Sequence, residues 1–227
     1  VAVARFESPS PEAGLGVPLP SVGRYVLAVV LTAIAILSQY FLPQAFPVLR
    51  PIYANLVGDL AVVYGVPIAA FLLLVGGAPL RRAAAHPVPA AVQGLRWYGG
   101  MSLLSLGVAL ALAIAYEAID PGAIKILERP NPALQSAMSN PWFWVAFSFV
   151  IGLVEEVIFR GWIFGYWLAR GTRSWEVHAL WTSAMFAGVH AYYGITYGPV
   201  APIPYTELFL LGLAFACIMR YSGGNLV

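Results

Sequence analysis

Two adjacent acids, Glu155 and Glu156, sit in an apolar run whose residues 149–161 read Phe-Val-Ile-Gly-Leu-Val-Glu-Glu-Val-Ile-Phe-Arg-Gly. An ionisable group at bilayer depth costs several kcal/mol unless it is paired or hydrated, so each is a functional candidate by default. Glu156 and Arg160 are four apart with the acid on the N-terminal side, the favourable order for a pair on one helical face. Glu155 and Arg160 are five apart, about 140° around the axis, an awkward angle for direct pairing. Arg160 therefore neutralises Glu156 and leaves Glu155 available for other work. The same pair would equally serve as an ion-pair staple between helices. A second candidate, His190, follows the next short loop. Taking Thr172 as the loop centre, Glu155 lies seventeen residues before it and His190 eighteen after it. In antiparallel neighbours those positions differ in depth by about 1.5 Å, one helical rise. A carboxylate and an imidazole at one level can share a water, the arrangement of a general base that activates a nucleophile.

The elements that must carry these residues are membrane helices. The chain has 227 residues, is 60% hydrophobic and carries charge on only 10% of positions; its mean hydropathy is +0.79. Soluble domains run nearer to a quarter charged, so this surface suits lipid. A net charge of +2 without a basic stripe gives no reason to expect a nucleic-acid partner. The single cysteine, Cys217, excludes an internal disulfide framework and a multi-thiolate metal site; it reads as a small core residue.

A bilayer core of about 30 Å needs about 20 mostly apolar helical residues. Six stretches qualify: 25–42, stopped by Pro43 and Pro47; 52–75, with a kink at Pro67; 98–119, ended by Asp120-Pro121; 141–169, started by Asn140-Pro141; 175–193; and 203–221. The expected fold is all-α, a polytopic transmembrane bundle with about six spans and a further C-terminal helix starting near Gly224. Residues 1–23 form a cytoplasmic tail and residues 24–227 one membrane domain. Basic residues in short loops are retained on the cytoplasmic side. One side holds Arg5, Arg24, Arg81, Arg82, Arg96, Arg170, Arg173 and Arg220; the other holds Arg50, Lys125 and Arg129. That imbalance puts the N-terminus in the cytoplasm.

Two motifs add a family resemblance. Glu155-Glu156-Val-Ile-Phe-Arg160 is similar to the EExxxR motif, and Phe186-Ala-Gly-Val-His190 to the FxxxH motif, of the CPBP membrane proteases, which include the CAAX prenyl endopeptidases and bacteriocin-processing proteins. The resemblance covers about residues 142–227. It implies a glutamate-type intramembrane endopeptidase of a bacterial inner membrane, without a metal or other cofactor, acting on a membrane-associated peptide or protein. Glu155 would activate water with His190, while Glu156 and Arg160 would shape and charge-balance the site. A third family motif, a histidine followed four residues later by Asn or Asp, would bind the oxyanion; it is expected beyond residue 227. The chain shows neither an HExxH zinc motif nor a Gly-x-Ser-x-Gly nucleophile elbow.

The remaining polar residues have plainer readings. Asp59 is expected to pair with another helix or line a cavity. Glu117 and Glu207 read as interfacial residues near the non-cytoplasmic ends, and His178 as a hydrogen-bonded bridge between helices. Residues 192–205 read as an irregular connecting loop, or as a lip over the site from the outer side. A competing function is a non-catalytic accessory subunit of a larger membrane complex, in which the polar cluster is a structural core. A pigment or haem carrier using His178 and His190 ranks below both, because residues twelve apart face different directions.

Overall fold

A computed structural model describes residues 19–54, 56–83, 88–128, 141–171 and 174–221. Most of the expected N-terminal tail and the helix expected near Gly224 lie outside these residues. The described residues form helices with no strand among them, and the protein is an all-α membrane bundle. Among the described residues, four helices are long and apolar enough to cross a bilayer: Val22–Ala45, Val57–Leu74, Ser102–Ile119 and Pro202–Arg220. We call α1 the helix Val22–Ala45, α2 the stretch Val57–Leu74, α3 the helix Val88–Ile119, and α6 the helix Pro202–Tyr221. Between α3 and α6 stand α4, residues 141–169, and α5, Trp175–Val189. Both fall outside the strictly apolar set for reasons that concern the site. The charged cluster interrupts α4, and α5 ends after 15 residues.

Lipid is the solvent for the outer faces. Leu73 is 84% exposed and Leu103 72%. Apolar surface of this extent would drive association in water, whereas hydrocarbon leaves it satisfied. Ser21 caps α1 by accepting a hydrogen bond from the Arg24 N–H, and the helix runs through Pro43 to Ala45. Proline interrupts helical hydrogen bonding, yet here the break comes only at Phe46. A short helix, Arg50–Ala54, then precedes α2. Gly58 lets it approach, because the Ile52 carbonyl lies where a side chain would stand.

Two helices change their winding in mid-course. In α2, residues Ala61–Gly65 are π-helical, and Val66–Leu74 resumes as α-helix with Pro67 in its first turn. Proline lacks the N–H that the ladder needs and crowds the turn before it; the π turn absorbs both defects. In α4, Pro141–Glu156 is α-helical, Val157–Phe164 is π-helical, and Gly165–Ala169 is α-helical again. A π segment widens the helix locally and frees backbone carbonyls. One of these, on Ile163, accepts a hydrogen bond from the Tyr25 hydroxyl at 3.1 Å, so the irregularity is satisfied from α1.

The main core gathers around this segment. Tyr25, Ala28, Val29 and Ile36 of α1 meet Val63 and Phe71 of α2, then Ile158, Phe159, Trp162 and Ile163 of α4, with Phe186 and Val189 of α5. The Tyr25 ring stacks on Tyr166 at 4.2 Å between centroids, and Phe71 on Trp162 at 5.4 Å. Indole N–H groups need partners when buried. Trp162 donates to the Gly76 carbonyl at 2.9 Å, and Trp167 to the Tyr25 hydroxyl at 3.0 Å. Gly76 has φ of 76°, a left-handed value that favours glycine. It ends α2 with its carbonyl turned toward Trp162.

The helices α5 and α6 pack antiparallel, and two contacts fix their register. Near the loop end, the Arg220 guanidinium lies over the Trp175 ring at 5.8 Å. Midway along, a Cβ on Gly212 would stand 3.1 Å from the Ser183 backbone, so glycine sets the approach. Small residues at such crossings are how membrane helices gain packing without a hydrophobic driving force. The other face of α6 packs along α3.

Candidate active site

Glu155 is the penultimate residue of the regular part of α4, one position before Glu156 and the π segment that begins at Val157. Its carboxylate is 18% exposed and has two neighbours from other helices. The Tyr64 hydroxyl, in the π turn of α2, donates to Glu155 Oε1 at 3.1 Å. His190 Nε2 lies 3.9 Å from the same oxygen. Irregular helix turns on α2 and α4 thus face each other across the site. Such turns recur at functional sites because they aim side chains where a regular helix would not.

The imidazole is oriented by its own helix. His190 caps the end of α5 with φ −84° and ψ 41°, and its N–H bonds the Ala187 carbonyl. Its Nδ1 lies 2.7 Å from the Phe186 carbonyl oxygen. A carbonyl can only accept, so Nδ1 carries the hydrogen, and in the neutral ring Nε2 presents a lone pair toward Glu155. The distance of 3.9 Å exceeds a hydrogen bond but suits two groups bridged by one water.

The second acid has a separate partner. Glu156 Oε1 and Arg160 Nη1 lie 2.9 Å apart, the pairing that four-residue spacing favours. Arg160 is 1% exposed. Its guanidinium carbon stands 4.4 Å from the centre of the Phe186 ring and 5.1 Å from that of Phe215. A desolvated guanidinium between aromatic faces gains about 2 kcal/mol from their quadrupoles. Neither Nη1 nor Nη2 finds a hydrogen-bond partner among the described residues, the 2.9 Å contact being an ion pair without hydrogen-bond alignment. Phe186 links the two halves of the cluster. It lies under Arg160, meets Phe159 edge to face at 5.1 Å, and meets His190 edge to face at 5.0 Å while its carbonyl holds Nδ1.

All four expected site residues, Glu155, Glu156, Arg160 and His190, fall within this cluster. The depth match between Glu155 and His190 was expected from two regular helices. It arises instead with His190 at a helix end, where the chain turns into the short helix Tyr192–Tyr197. Together with the 3-10 turn Gly198–Val200 and the start of α6 at Pro202, that helix replaces most of the irregular loop expected over 192–205. Tyr193 meets Tyr192, stacks with Tyr197 and stacks with His190. Tyr64 was not foreseen. The signal available was a hydroxyl-bearing ring in a mostly aliphatic span, three residues before the kinking Pro67.

The other polar residues sort themselves. Glu117 accepts from the backbone N–H of Gly122 at 2.8 Å and of Ile124 at 3.4 Å, so it fastens the turn that ends α3. His178 bridges α5 to α4 by stacking on Trp167 at 4.1 Å rather than through the expected hydrogen bond at its buried Nδ1, which has no hydrogen-bond partner among the described residues. Asp59 has no ion pair among the described residues. Among them, too, no three His, Cys, Asp or Glu side chains converge as a metal-binding group.

Residues 137–227 match a family model described as type II CAAX prenyl endopeptidase, Rce1-like. The match covers less than half of the chain, from the start of α4 onward, and includes both motifs. It bears out the resemblance to the CPBP membrane proteases. No curated protein and no solved structure matches the chain.

Proposed function

We propose that the protein is an intramembrane endopeptidase in which Glu155 and His190 activate a water without a metal. The observation that carries this reading is the setting of one Glu155 oxygen, between a hydroxyl donor on Tyr64 and an imidazole lone pair 3.9 Å away. The match of the C-terminal helices to a prenyl endopeptidase model supports the reaction class. In this mechanism a water lies between Glu155 and His190. Glu155 takes one proton as the water oxygen bonds to the scissile carbonyl carbon. As the C–N bond breaks, that proton passes to the leaving nitrogen. His190 holds the second hydrogen of the water at Nε2, and its fixed Nδ1–H keeps that lone pair in place.

Glu156 and Arg160 complete the proposal as a charge-balanced support that keeps the π segment closed. The Tyr64 hydroxyl is a positioning group: by occupying one lone pair of Oε1 it fixes the carboxylate's rotation. The accessory-subunit alternative expects the carboxylate to be consumed by structural bonds, whereas the Glu155 side chain keeps some accessible surface. The proposal also places the N-terminus in the cytoplasm and the chain in a bacterial inner membrane, as one membrane domain after a short tail.

The test uses the full-length protein in vesicles, with a fluorogenic peptide ending in a prenylated Cys-aliphatic-aliphatic-X sequence. Replacing an essential catalytic group lowers rates by about 10²- to 10⁴-fold. Glu155→Gln, which keeps the shape of the side chain, is expected to lose cleavage by at least that factor. Cleavage by Glu155→Gln at the wild-type rate would falsify the mechanism.

A further inference from the structure

Between α3 and α6 lies a cavity of about 290 Å³ that neither motif touches. Ser102 and Ser105 of α3 line one wall, Glu207 and Leu211 of α6 the other, and Tyr193 reaches it from the short helix after α5. Three observations tie it to the candidate site. First, the α5–α6 register set by Trp175 with Arg220 and Ser183 with Gly212 puts Glu207 opposite Gly188. That is two residues, about 3 Å of rise, from His190. Second, the Tyr193 ring is shared, for it stacks near His190 at 6.2 Å and also walls the cavity. Third, the Glu207 carboxylate has no ion pair or hydrogen bond among the described residues. The residues around the cavity bring three hydroxyls, on Ser102, Ser105 and Tyr193, and no cation.

An isolated carboxylate at this depth is costly unless something pairs with it. Sequence reasoning placed Glu207 near the non-cytoplasmic end of its helix, and the register puts it level with His190, which ends α5 on that same side. We infer that this cavity is a substrate subsite that takes a basic side chain, a Lys or Arg of the peptide flanking the scissile bond. Glu207 supplies the counter-charge, and Ser102 and Ser105 accept the remaining N–H hydrogens. The apolar Leu211 packs along the methylene stem, as long cationic side chains require. Tyr193 is the lining residue that also meets His190, so it connects the cavity with the Glu155–His190 pair. The cavity is at the small end of ligand sites, which suits one side chain and not a whole peptide or lipid tail.

This inference rests on the endopeptidase reading for the identity of its ligand, and two separate measurements judge them. A series of the fluorogenic prenylated peptides carries Lys, Gln or Glu in turn at each position flanking the cleaved bond. In one arm, binding of these peptides to the Glu155→Gln protein in nanodiscs is followed by fluorescence anisotropy. At one position Lys is expected to bind about tenfold more tightly than Gln, about 1.4 kcal/mol. Adding Glu207→Gln is expected to bring that ratio to about one, and Glu207→Lys to invert it in favour of Glu. In the other arm, cleavage by protein with Glu155 intact is expected to show the same position-specific ratios in kcat/KM. Thermal melting checks that each variant is folded, with Glu207→Asp as the conservative control that retains the Lys preference. Equal binding of Lys and Gln peptides at every position would overturn the subsite, as would a Lys preference that survives Glu207→Gln. Undiminished cleavage by Glu155→Gln would overturn the endopeptidase reading instead, while the binding arm still judges the cavity.

Discussion

Phe186 shows how much one side chain contributes to the polar cluster. Its ring faces Arg160, its edge meets His190, and its carbonyl fixes the imidazole tautomer. Phe186→Leu keeps the carbonyl but removes the aromatic face, so both motifs are expected to loosen together, with a loss of about 1–2 kcal/mol in stability. Thermal melting in detergent reads this directly. Tyr64→Phe removes only the hydroxyl that holds Glu155. We expect kcat on the prenylated peptide to fall about tenfold while KM changes little, as for a group that orients the base without binding substrate. An unchanged kcat would remove Tyr64 from the site. Arg160→Met should be the most damaging of the three, because it leaves Glu156 charged and unpaired; breaking a buried pair costs about 3–5 kcal/mol. The double variant Glu156→Gln with Arg160→Met should recover much of that loss. If it melts no higher than Arg160→Met alone, the ion pair is not what holds Arg160 in place.

At the scale of elements, the π segment of α4 and the close crossing of α5 with α6 determine whether the side chains meet. Deleting Gly161 removes a residue that the π winding accommodates, so Val157–Phe164 could return to regular winding. The Ile163 carbonyl would then be drawn back into the helical ladder, and the residues within the segment would turn relative to Glu155. The Tyr25–Ile163 hydrogen bond and the Arg160 setting could not both survive that rotation. Cleavage should be lost, and a fully active deletion variant would show that the π winding is dispensable. At the helix crossing, Gly212→Val adds atoms where even a Cβ stands 3.1 Å from the Ser183 backbone. Overpacking of this kind costs about 1–3 kcal/mol, and it should weaken the Lys preference by moving Glu207 away from the level of His190. The helix caps were more accessible to sequence reasoning. Asp120-Pro121 after α3 marks a real boundary, and α4 is helical from Pro141 on, because proline's constraints act within a turn or two of itself. The winding change at Val157 has no such local signature, since no proline or glycine pair precedes it in α4. It answers to neighbours on α1 and α2.

For the whole molecule, the arrangement around α4 places every described site residue inside the bundle, while apolar side chains of α2 and α3 face outward. The proposed orientation has its own check. Alkaline phosphatase fused after Asp120 is expected to be active, since the proposed orientation puts that turn outside the cytoplasm, and fusion after Arg170 inactive. The reverse pattern would overturn the orientation without touching the site. Composition, the proline-bounded apolar runs and the two motifs established a helical membrane bundle and named Glu155, Glu156, Arg160 and His190, because lipid penalises stray charge so heavily that charges there stand out in the sequence. Sequence periodicity also paired Glu156 with Arg160, an interaction within one helix. The tertiary structure alone brought in Tyr64 from α2, put His190 at a helix end, and set Glu207 in a cavity level with it. Those relations depend on winding defects and on the register between helices, which packing across the bundle sets and no local stretch of sequence encodes.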